Sequence, residues 1–197
     1  MAALLGKLSA GLGAVGLAIG MMAQPAWAEM PSFNTVGAQF ARQKVEGAMD
    51  SYDGYGLKLS KQWAKNFFAG GQYHNFELSN NVESEQLDLH VGLFAAVPRM
   101  NNTRIASLFG YRKASIDGPA DSVSDDTGFI GVSLRNRAYE RIELRADLHY
   151  LDWSKSESGF MGALGFSYFI AAGFAFEVGY KKQGDTQTFS SGFALLF

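Results

Sequence analysis

The chain has 197 residues, of which 47% are hydrophobic and 14% aromatic, and it contains 23 glycines and no cysteine. Its mean hydropathy of −0.05 excludes a bundle of membrane-spanning helices, because each such helix needs roughly 20 consecutive apolar residues. The formal net charge of −2 argues against a nucleic-acid-binding protein, which would carry a basic stripe. Without cysteine there is no disulfide framework, thiolate metal site or cysteine nucleophile. Frequent aromatic residues and glycines at average hydropathy are typical of alternating β-strands, either in a soluble all-β domain or in a membrane barrel.

The first 28 residues have the parts of an export signal. Lys7 supplies a positive charge, residues 8–22 form an uncharged apolar run, and Ala26 and Ala28 form a small-x-small cleavage site. The apolar run is shorter than the roughly 20 residues needed to span a bilayer, which argues against a retained anchor. We therefore predict cleavage after Ala28, which leaves a single barrel domain over residues 29–197 in the bacterial envelope.

The rest of the chain falls into short alternating segments joined by two kinds of connection. Short turns and longer polar loops alternate strictly, which predicts an all-β, antiparallel up-and-down transmembrane barrel of ten strands with both termini in the periplasm. The alternative is eight strands, with the hairpin of strands 5 and 6 outside the membrane. The predicted periplasmic turns lie near residues 64–66, 98–102, 136–140 and 170–173, and the predicted extracellular loops are 44–53, 79–84, 116–126, 152–158 and 182–187.

Within the strands, apolar side chains alternate with polar ones. The seventh strand is the clearest, because Leu144 and Leu148 share one face while Arg145 and Asp147 share the other. The apolar faces run for about 9 to 11 residues, which is the length of a tilted membrane-spanning strand. Strands in soluble globular proteins average about 5 or 6 residues. Aromatic residues concentrate near both strand ends, which predicts two girdles at the membrane interfaces. The predicted girdles include Trp63, Phe67, Tyr139, Tyr168, Phe174 and Phe197 near the turns and Tyr52, Tyr55, Tyr150, Trp153 and Tyr180 near the loops.

The charged side chains on the opposite parity define a predicted lumen network. Two Asp-Leu-His repeats, at residues 88–90 and 147–149, place a carboxylate and an imidazole on that face, where the acid could orient a base or hold a metal ligand. Because an unpaired charge in a narrow lumen is costly, we instead expect a salt-bridged plug, with a solute path or a catalytic or metal site as the alternatives. The predicted lumen network consists of Lys58, Asp88, His90, Arg104, Arg112, Arg135, Glu143, Arg145, Asp147, His149, Glu177 and Lys181.

The sequence contains no specific catalytic motif. Its only histidines are His74, His90 and His149, and neither Gly-x-Ser-x-Gly nor His-Glu-x-x-His occurs. We therefore expect a protein that is not an enzyme and that uses no cofactor or metal. One predicted loop is acidic and could bind divalent cations shared with lipopolysaccharide, but its composition is also that of ordinary turns, which we favour. Its acidic residues are Asp117, Asp121, Asp125 and Asp126.

The last ten residues carry the most specific pattern. Phe193, Leu195 and the terminal Phe197 share one face, while small or polar residues occupy the other. With the export signal and the alternating strands, the chain from Phe33 to Phe197 resembles the small, porin-like outer-membrane β-barrels of the OmpX/OmpA-like family, in particular a ten-stranded group. The resemblance implies a bacterial outer-membrane location. It also implies that Phe193, Leu195 and Phe197 are read by the outer-membrane assembly machinery, although Leu195 replaces an aromatic residue common in such families.

The resemblance does not fix an activity, because one barrel fold hosts many functions. Our first expectation is a structural or surface-interaction protein with a mostly plugged polar lumen, in contact with outer-membrane lipid and lipopolysaccharide and with no nucleic-acid partner. The first alternative is a narrow porin-like channel for ions or small solutes. The second is a soluble periplasmic ligand-binding barrel, whose apolar faces would point inward.

Overall fold

The computed structural model describes residues 31–47, 51–79, 82–100, 102–118, 121–153 and 158–197. The predicted export signal, with Ala26 and Ala28, lies outside the described residues, so its cleavage stays a prediction. In the described part of the chain, no helix is long and apolar enough to cross a membrane.

Ten antiparallel strands form a closed up-and-down barrel, in which every strand pairs with its neighbours in sequence and β10 pairs with β1. The prediction of ten strands is confirmed. The eight-stranded alternative is wrong, because β5 and β6 pair with β4 and β7 and are part of the wall. The strands are β1 (Thr35–Val45), β2 (Ser51–Ala64), β3 (Phe67–Ser79), β4 (Val82–Ala96), β5 (Thr103–Asp117), β6 (Ser122–Tyr139), β7 (Ile142–Trp153), β8 (Gly159–Ala171), β9 (Phe174–Gln183) and β10 (Thr186–Leu196).

The barrel closes through a continuous ladder between β1 and β10. Val36 lies opposite Leu195 and Ala38 lies opposite Phe193. This is the seam expected from the alternation of the last ten residues, whose large side chains face outward. The start of β1 and the end of β10 therefore lie at one end of the barrel, which we call the terminal end. The opposite end, with the β1–β2 and β5–β6 connections, is the loop end.

The outer face of the wall carries an apolar belt. Leu93 and Leu164 are 58% and 62% exposed, and many other large aliphatic and aromatic side chains of this parity are similarly open. A continuous apolar surface of this extent is not stable in water and indicates contact with lipid. The alternative of a soluble ligand-binding barrel is wrong, because the apolar faces point outward and the charged residues point into the lumen.

The connections at the loop end are shorter than the sequence pattern predicts. Residues 122–126 of β6 pair with residues 113–117 of β5, although residues 116–126 were expected to form a loop. β6 has 18 residues, more than the roughly 9 to 11 that cross a bilayer, so this hairpin continues beyond the apolar belt. Its polar composition resembles a turn because both faces of the extension meet water. Asp117, Asp125 and Asp126 thus belong to strands, and Asp121 lies in the connection.

β2 and β7 also extend further toward the loop end than predicted. Their extension corrects two members of the predicted loop-end girdle. Tyr52 pairs with Gln43, which places both on the lumen-facing parity, and Trp153 packs against the buried aromatic and aliphatic cluster inside the barrel. Tyr52 and Trp153 were expected at the lipid interface because they were assigned to the loops next to β2 and β7. Tyr55 and Tyr150 do face outward, and they are 45% and 40% exposed.

Besides Gly54, which lies opposite Phe76, five lumen-facing glycines of the described strands lie directly opposite an aromatic or imidazole ring of the next strand. A Cβ atom at Gly70 would lie 2.8 Å from Nε2 of His90, closer than such atoms pack. The missing side chains let the rings lie flat against the wall, as in other sheets where a cross-strand ring covers a glycine. The pairs are Gly56 with His74, Gly70 with His90, Gly92 with Phe68, Gly110 with Phe129, and Gly131 with His149.

Candidate functional site

Every member of the predicted lumen network lies on the lumen-facing parity of its strand. Each of its four carboxylates is close to a cation, within the wall or across the lumen. Such pairing offsets part of the cost of removing the charges from water. The ion pairs are Asp88 with Arg112, Asp147 with Arg145, Glu143 with Arg135, and Glu177 with Lys58.

The Asp88–Arg112 pair is the most buried of these. Nε of Arg112 donates to one carboxylate oxygen at 2.5 Å and Nη2 donates to the other at 2.8 Å. Nη1 donates to the side-chain oxygen of Gln183 on β9 at 2.6 Å. The side chains of Arg112 and Asp88 are 1% and 9% exposed. A bidentate geometry with the third nitrogen satisfied is what a buried guanidinium requires.

Other side chains connect strands that lie far apart around the barrel. Nζ of Lys181 on β9 donates to the side-chain oxygen of Gln86 on β4 at 2.9 Å. These two strands are five positions apart in the closed order of ten, so the bond crosses the full width of the lumen. Lys58 on β2 pairs with Glu177 on β9. The crossings divide the interior into small compartments.

Three arginines form a row on adjacent strands. Arg104 lies directly opposite Arg135, and Arg135 lies directly opposite Arg145. Like charges in direct cross-strand register are destabilising unless other groups compensate them. Nε of Arg145 lies 3.1 Å from Asp147, whereas Nη1 of Arg135 lies 3.9 Å from Glu143. Main-chain carbonyl groups provide part of the remaining compensation.

Those carbonyl groups belong to residues 31–34, which precede β1 and lie in the terminal mouth of the lumen; we call this segment the mouth plug. Phe33 is 1% exposed. Its ring centroid lies 4.1 Å from that of Phe68 and 4.6 Å from that of Phe94, and both pairs are stacked. The sequence pattern did not predict this position, because a four-residue segment before the first strand has no periodicity to indicate its direction.

Two arginines of the row hold the mouth plug. Nη1 of Arg104 donates to the carbonyl oxygen of Pro31 at 2.7 Å, and Nη1 of Arg135 donates to that of Ser32 at 2.7 Å. The Arg135 guanidinium also lies 4.4 Å from the centroid of the Phe33 ring. β6, which carries Arg135, lies across the barrel from β1. The mouth plug therefore reaches over the lumen and contacts the opposite wall.

Asn34 connects the mouth plug to the barrel seam. Its side-chain oxygen accepts a hydrogen bond from the backbone amide of Gln62 at 2.7 Å, and its carbonyl oxygen accepts one from the amide of Phe197 at 3.3 Å. Phe197, which directly follows β10, is thus bonded to the segment that closes the mouth. Nζ of Lys61 on β2 lies 4.6 Å from the centroid of the Phe197 ring.

The first Asp-Leu-His repeat does not form an acid–base pair. Asp88 is engaged by Arg112, whereas the His90 ring covers Gly70 and contacts Phe68 edge-on, with centroids 5.8 Å apart. The acid and the imidazole of this repeat therefore have separate packing and pairing partners.

The second repeat is divided in the same way. Oδ1 of Asp147 accepts a hydrogen bond from the Ser133 hydroxyl at 2.5 Å. The His149 ring stacks on Phe129, with centroids 4.9 Å apart and an interplanar angle of 6°. In the described part of the chain, no group of three or more His, Cys, Asp or Glu residues is arranged to hold a metal ion.

His74 is a lumen residue that was not assigned to the predicted lumen network. Its Nε2 lies 2.7 Å from the side-chain nitrogen of Gln39 and 3.2 Å from that of Gln72. The alternation of β3 could have placed it in the lumen, but apolar residues occur on both faces of that strand and obscure the parity.

Two adjoining cavities of about 90 Å³ and about 130 Å³ remain inside the barrel. The smaller reaches Ser32 and Thr35 of the terminal end, and the larger reaches Phe129 and Met161. Small-molecule sites commonly have volumes of roughly 300 to 1,000 Å³. The cavities therefore have room for a few water-sized particles and not for a sugar-sized solute.

Comparison with known proteins agrees with this architecture. Residues 14–194 match the family model for the outer membrane protein beta-barrel domain. No curated protein sequence matches the chain.

The structure of the NanC porin has a TM-score of 0.53 and 9% identity, over 82% of this chain and 100% of that one. The β-domain of the Bordetella autotransporter BrkA has a TM-score of 0.50 and 13% identity, over 83% and 99%. The KdgM porin has a TM-score of 0.47 and 10% identity, over 83% and 99%. At these identities the similarity shows the fold alone.

A closed ten-stranded wall with an apolar belt outside and a charged lumen inside defines a transmembrane β-barrel. The chain belongs to the outer membrane protein beta-barrel domain family, and its location is the bacterial outer membrane.

Proposed function

We propose that this protein is a structural or surface-interaction barrel whose lumen is closed from within, and that it is not an enzyme. The observation that carries the proposal is the mouth plug, in which Phe33 is buried between two aromatic rings and held from the opposite wall by Arg135. With both termini in the periplasm, the loop end faces outside the cell, and the extension of the β5–β6 hairpin beyond the apolar belt offers the surface for interaction.

The rest of the lumen supports closure. The Lys181–Gln86 bond crosses the barrel, and the buried Asp88–Arg112 pair fills another layer. The three histidines cover glycines of the wall, which gives them a packing role in place of a catalytic one. None of the three takes a proton from an adjacent nucleophile in a described hydrogen bond, which is what a nucleophilic enzyme would need.

Efflux from proteoliposomes tests the closure. Vesicles loaded with chloride and carrying the unaltered protein should release it no faster than protein-free vesicles. Phe33→Ala should accelerate release, because it removes the ring that fills the terminal mouth. Phe40→Ala is the matched control, since Phe40 lies on β1, which follows the mouth plug, but faces outward with 52% exposure. Rapid release by the unaltered protein, or equal release by both variants, would overturn the proposal.

The second candidate function is a narrow channel for small anions. It is favoured by the lining of the larger cavity, where four cations face two carboxylates. An ion path there would be anion-selective. Reversal potentials measured across a salt gradient separate the candidates: a stable anion-selective current through the unaltered protein supports the channel, and its absence supports the closed barrel.

We further propose that the outward side chains of the last strand are read by the outer-membrane assembly machinery. Phe193 packs against Phe174, with ring centroids 5.4 Å apart, and Leu195 and Phe197 continue the same face. Deletion of Phe197 should leave unassembled protein in the periplasm, whereas removal of the outward Phe160 side chain by Phe160→Ala, far from the seam, should not. Normal amounts of heat-modifiable barrel in outer membranes from the Phe197 deletion would contradict this role.

A further inference from the structure

The larger lumen cavity has an imbalance of charge. Its walls include four cations but two carboxylates, and each carboxylate already pairs with one of the cations. Asp88 is held by Arg112 in the bidentate pair, and Asp147 is shared by Arg145 and Ser133. The cations are Arg112, Arg135, Arg145 and Lys181. Because Arg135 pairs with Glu143 beyond the lining of this cavity, one positive charge, that of Lys181, is left without a described carboxylate partner.

Lys181 is the cation with the least compensation. Its Nζ donates to the neutral side chain of Gln86 at 2.9 Å, and no described carboxylate forms an ion pair with it. An ammonium that is partly withdrawn from water, unpaired and not fully hydrogen-bonded is costly. The neighbouring pair Arg135 and Arg145, in direct register on β6 and β7, adds like charge to the same cavity.

Several buried nitrogen atoms of residues that line the same cavity have no hydrogen-bond partner in the described part of the chain. They are Nε of Arg135, both ring nitrogens of His149 and Nδ1 of His74. At least one nitrogen of each imidazole ring carries a hydrogen in either tautomer. Unpaired donors in the lining of a positively charged cavity can bind an acceptor that also carries negative charge.

The cavity has space for such an acceptor because part of its wall is built from small residues. Ala163 on β8, Gly179 on β9 and Ser190 on β10 all line it. The volume of about 130 Å³ exceeds what one halide ion and a few waters need. It does not hold a large organic anion.

We propose that the larger lumen cavity binds a small inorganic anion of the chloride class, held by Lys181, Arg135 and His149. The anion offsets the surplus positive charge and accepts hydrogen bonds from the donors that the protein leaves unpaired. This role goes beyond closure of the lumen: the barrel encloses an internal ion site that stabilises the wall, whether or not ions cross it.

The temperature at which half of the refolded barrel unfolds in detergent micelles tests the site. Replacing 0.1 M gluconate by 0.1 M chloride at equal ionic strength should raise this temperature by about 3 °C, because an ion that binds only the folded state stabilises it. Lys181→Met should abolish the chloride-dependent shift. Lys113→Met removes an equal charge from an outward position of β5 and should retain the shift. An equal midpoint in both salts, or a full shift in Lys181→Met, would overturn the proposal.

A second measurement uses the unaltered protein, so it does not depend on a variant that folds. Crystals of barrel refolded in sodium bromide should show an anomalous peak within about 3.5 Å of Lys181 Nζ or a ring nitrogen of His149, the range of a weakly held ion contact. A lumen without an anomalous peak would contradict the site. This result is separate from the efflux experiment, because a closed barrel can contain or lack the ion.

Discussion

The terminal mouth and the middle of the lumen are closed in different ways. In the middle, side chains of the wall pair with one another, as in the bidentate contact between Asp88 and Arg112. At the mouth, a piece of main chain enters the barrel, and wall arginines bind its carbonyl groups while Phe33 packs between aromatic rings. The first kind of closure is part of the barrel itself. The second is a short segment that can leave without breaking a strand pair.

This difference predicts that damage to the middle destabilises the whole barrel, whereas damage to the mouth acts locally. Removing one partner of a buried ion pair leaves an uncompensated charge throughout the folded state. Detachment of the mouth plug exposes the apolar area of Phe33 and breaks a few hydrogen bonds. It leaves all ten strand pairings in place.

The largest expected effect is that of Arg112→Met. It should lower the free energy of unfolding by about 3–5 kcal/mol, because Asp88 is left buried without its partner. Urea unfolding of the barrel in liposomes measures the change. Adding Asp88→Asn to the same variant should recover most of the loss. A loss below about 1 kcal/mol would mean that the lumen is wetter than the buried pair indicates.

Phe33→Ala should have the next largest effect, lowering the same free energy by about 2–3 kcal/mol. This is at or below the range for a phenylalanine in a closed core, because the mouth plug can detach while the wall persists. Protease digestion of the refolded barrel should then cleave near residues 31–34 in the variant while β1 stays protected. Loss of protection along the whole of β1 would show that the mouth plug is integral to the wall.

The sequence pattern predicts the wall far better than the mouth. Alternation along β4 and β7 places Leu89 and Leu148 outside and Asp88 and Asp147 inside, because a strand has a fixed two-residue period. The same rule cannot say where β6 ends, since a strand extension in water carries polar residues on both faces, as a loop does. It also gives no register, so the direct opposition of Arg135 and Arg145 and the pairing of rings with glycines appear only in the structure.

A smaller effect is expected where a ring covers a glycine. Gly70→Ala should cost about 1–2 kcal/mol, because the added Cβ would meet the His90 ring and the carbonyl oxygen of Leu59. Gly162→Ala is the matched control, since its Cβ would point outward with nothing within 4 Å, and its cost should be near zero. Equal unfolding midpoints for the two variants would contradict a packing role for the imidazole ring.

The smallest effect is expected for Arg42→Met. Arg42 makes a bidentate contact with Asp53, at 2.6 Å and 2.9 Å, similar in form to that of Arg112 with Asp88. Both partners of the Arg42 pair are more than half exposed, so water and salt screen the pair and the urea midpoint should stay close to that of the unaltered protein. Comparing the urea midpoints of Arg42→Met and Arg112→Met isolates the contribution of burial from that of hydrogen-bond geometry.

Single-channel recording in planar bilayers tests the closed lumen most directly. Insertion of the unaltered protein should produce no discrete conductance steps, and Phe33→Ala should produce small or flickering steps that Phe40→Ala lacks. Stable, uniform conductance steps from the unaltered protein would contradict the account, because neither the mouth plug nor the charged crossings of the lumen would then close the path.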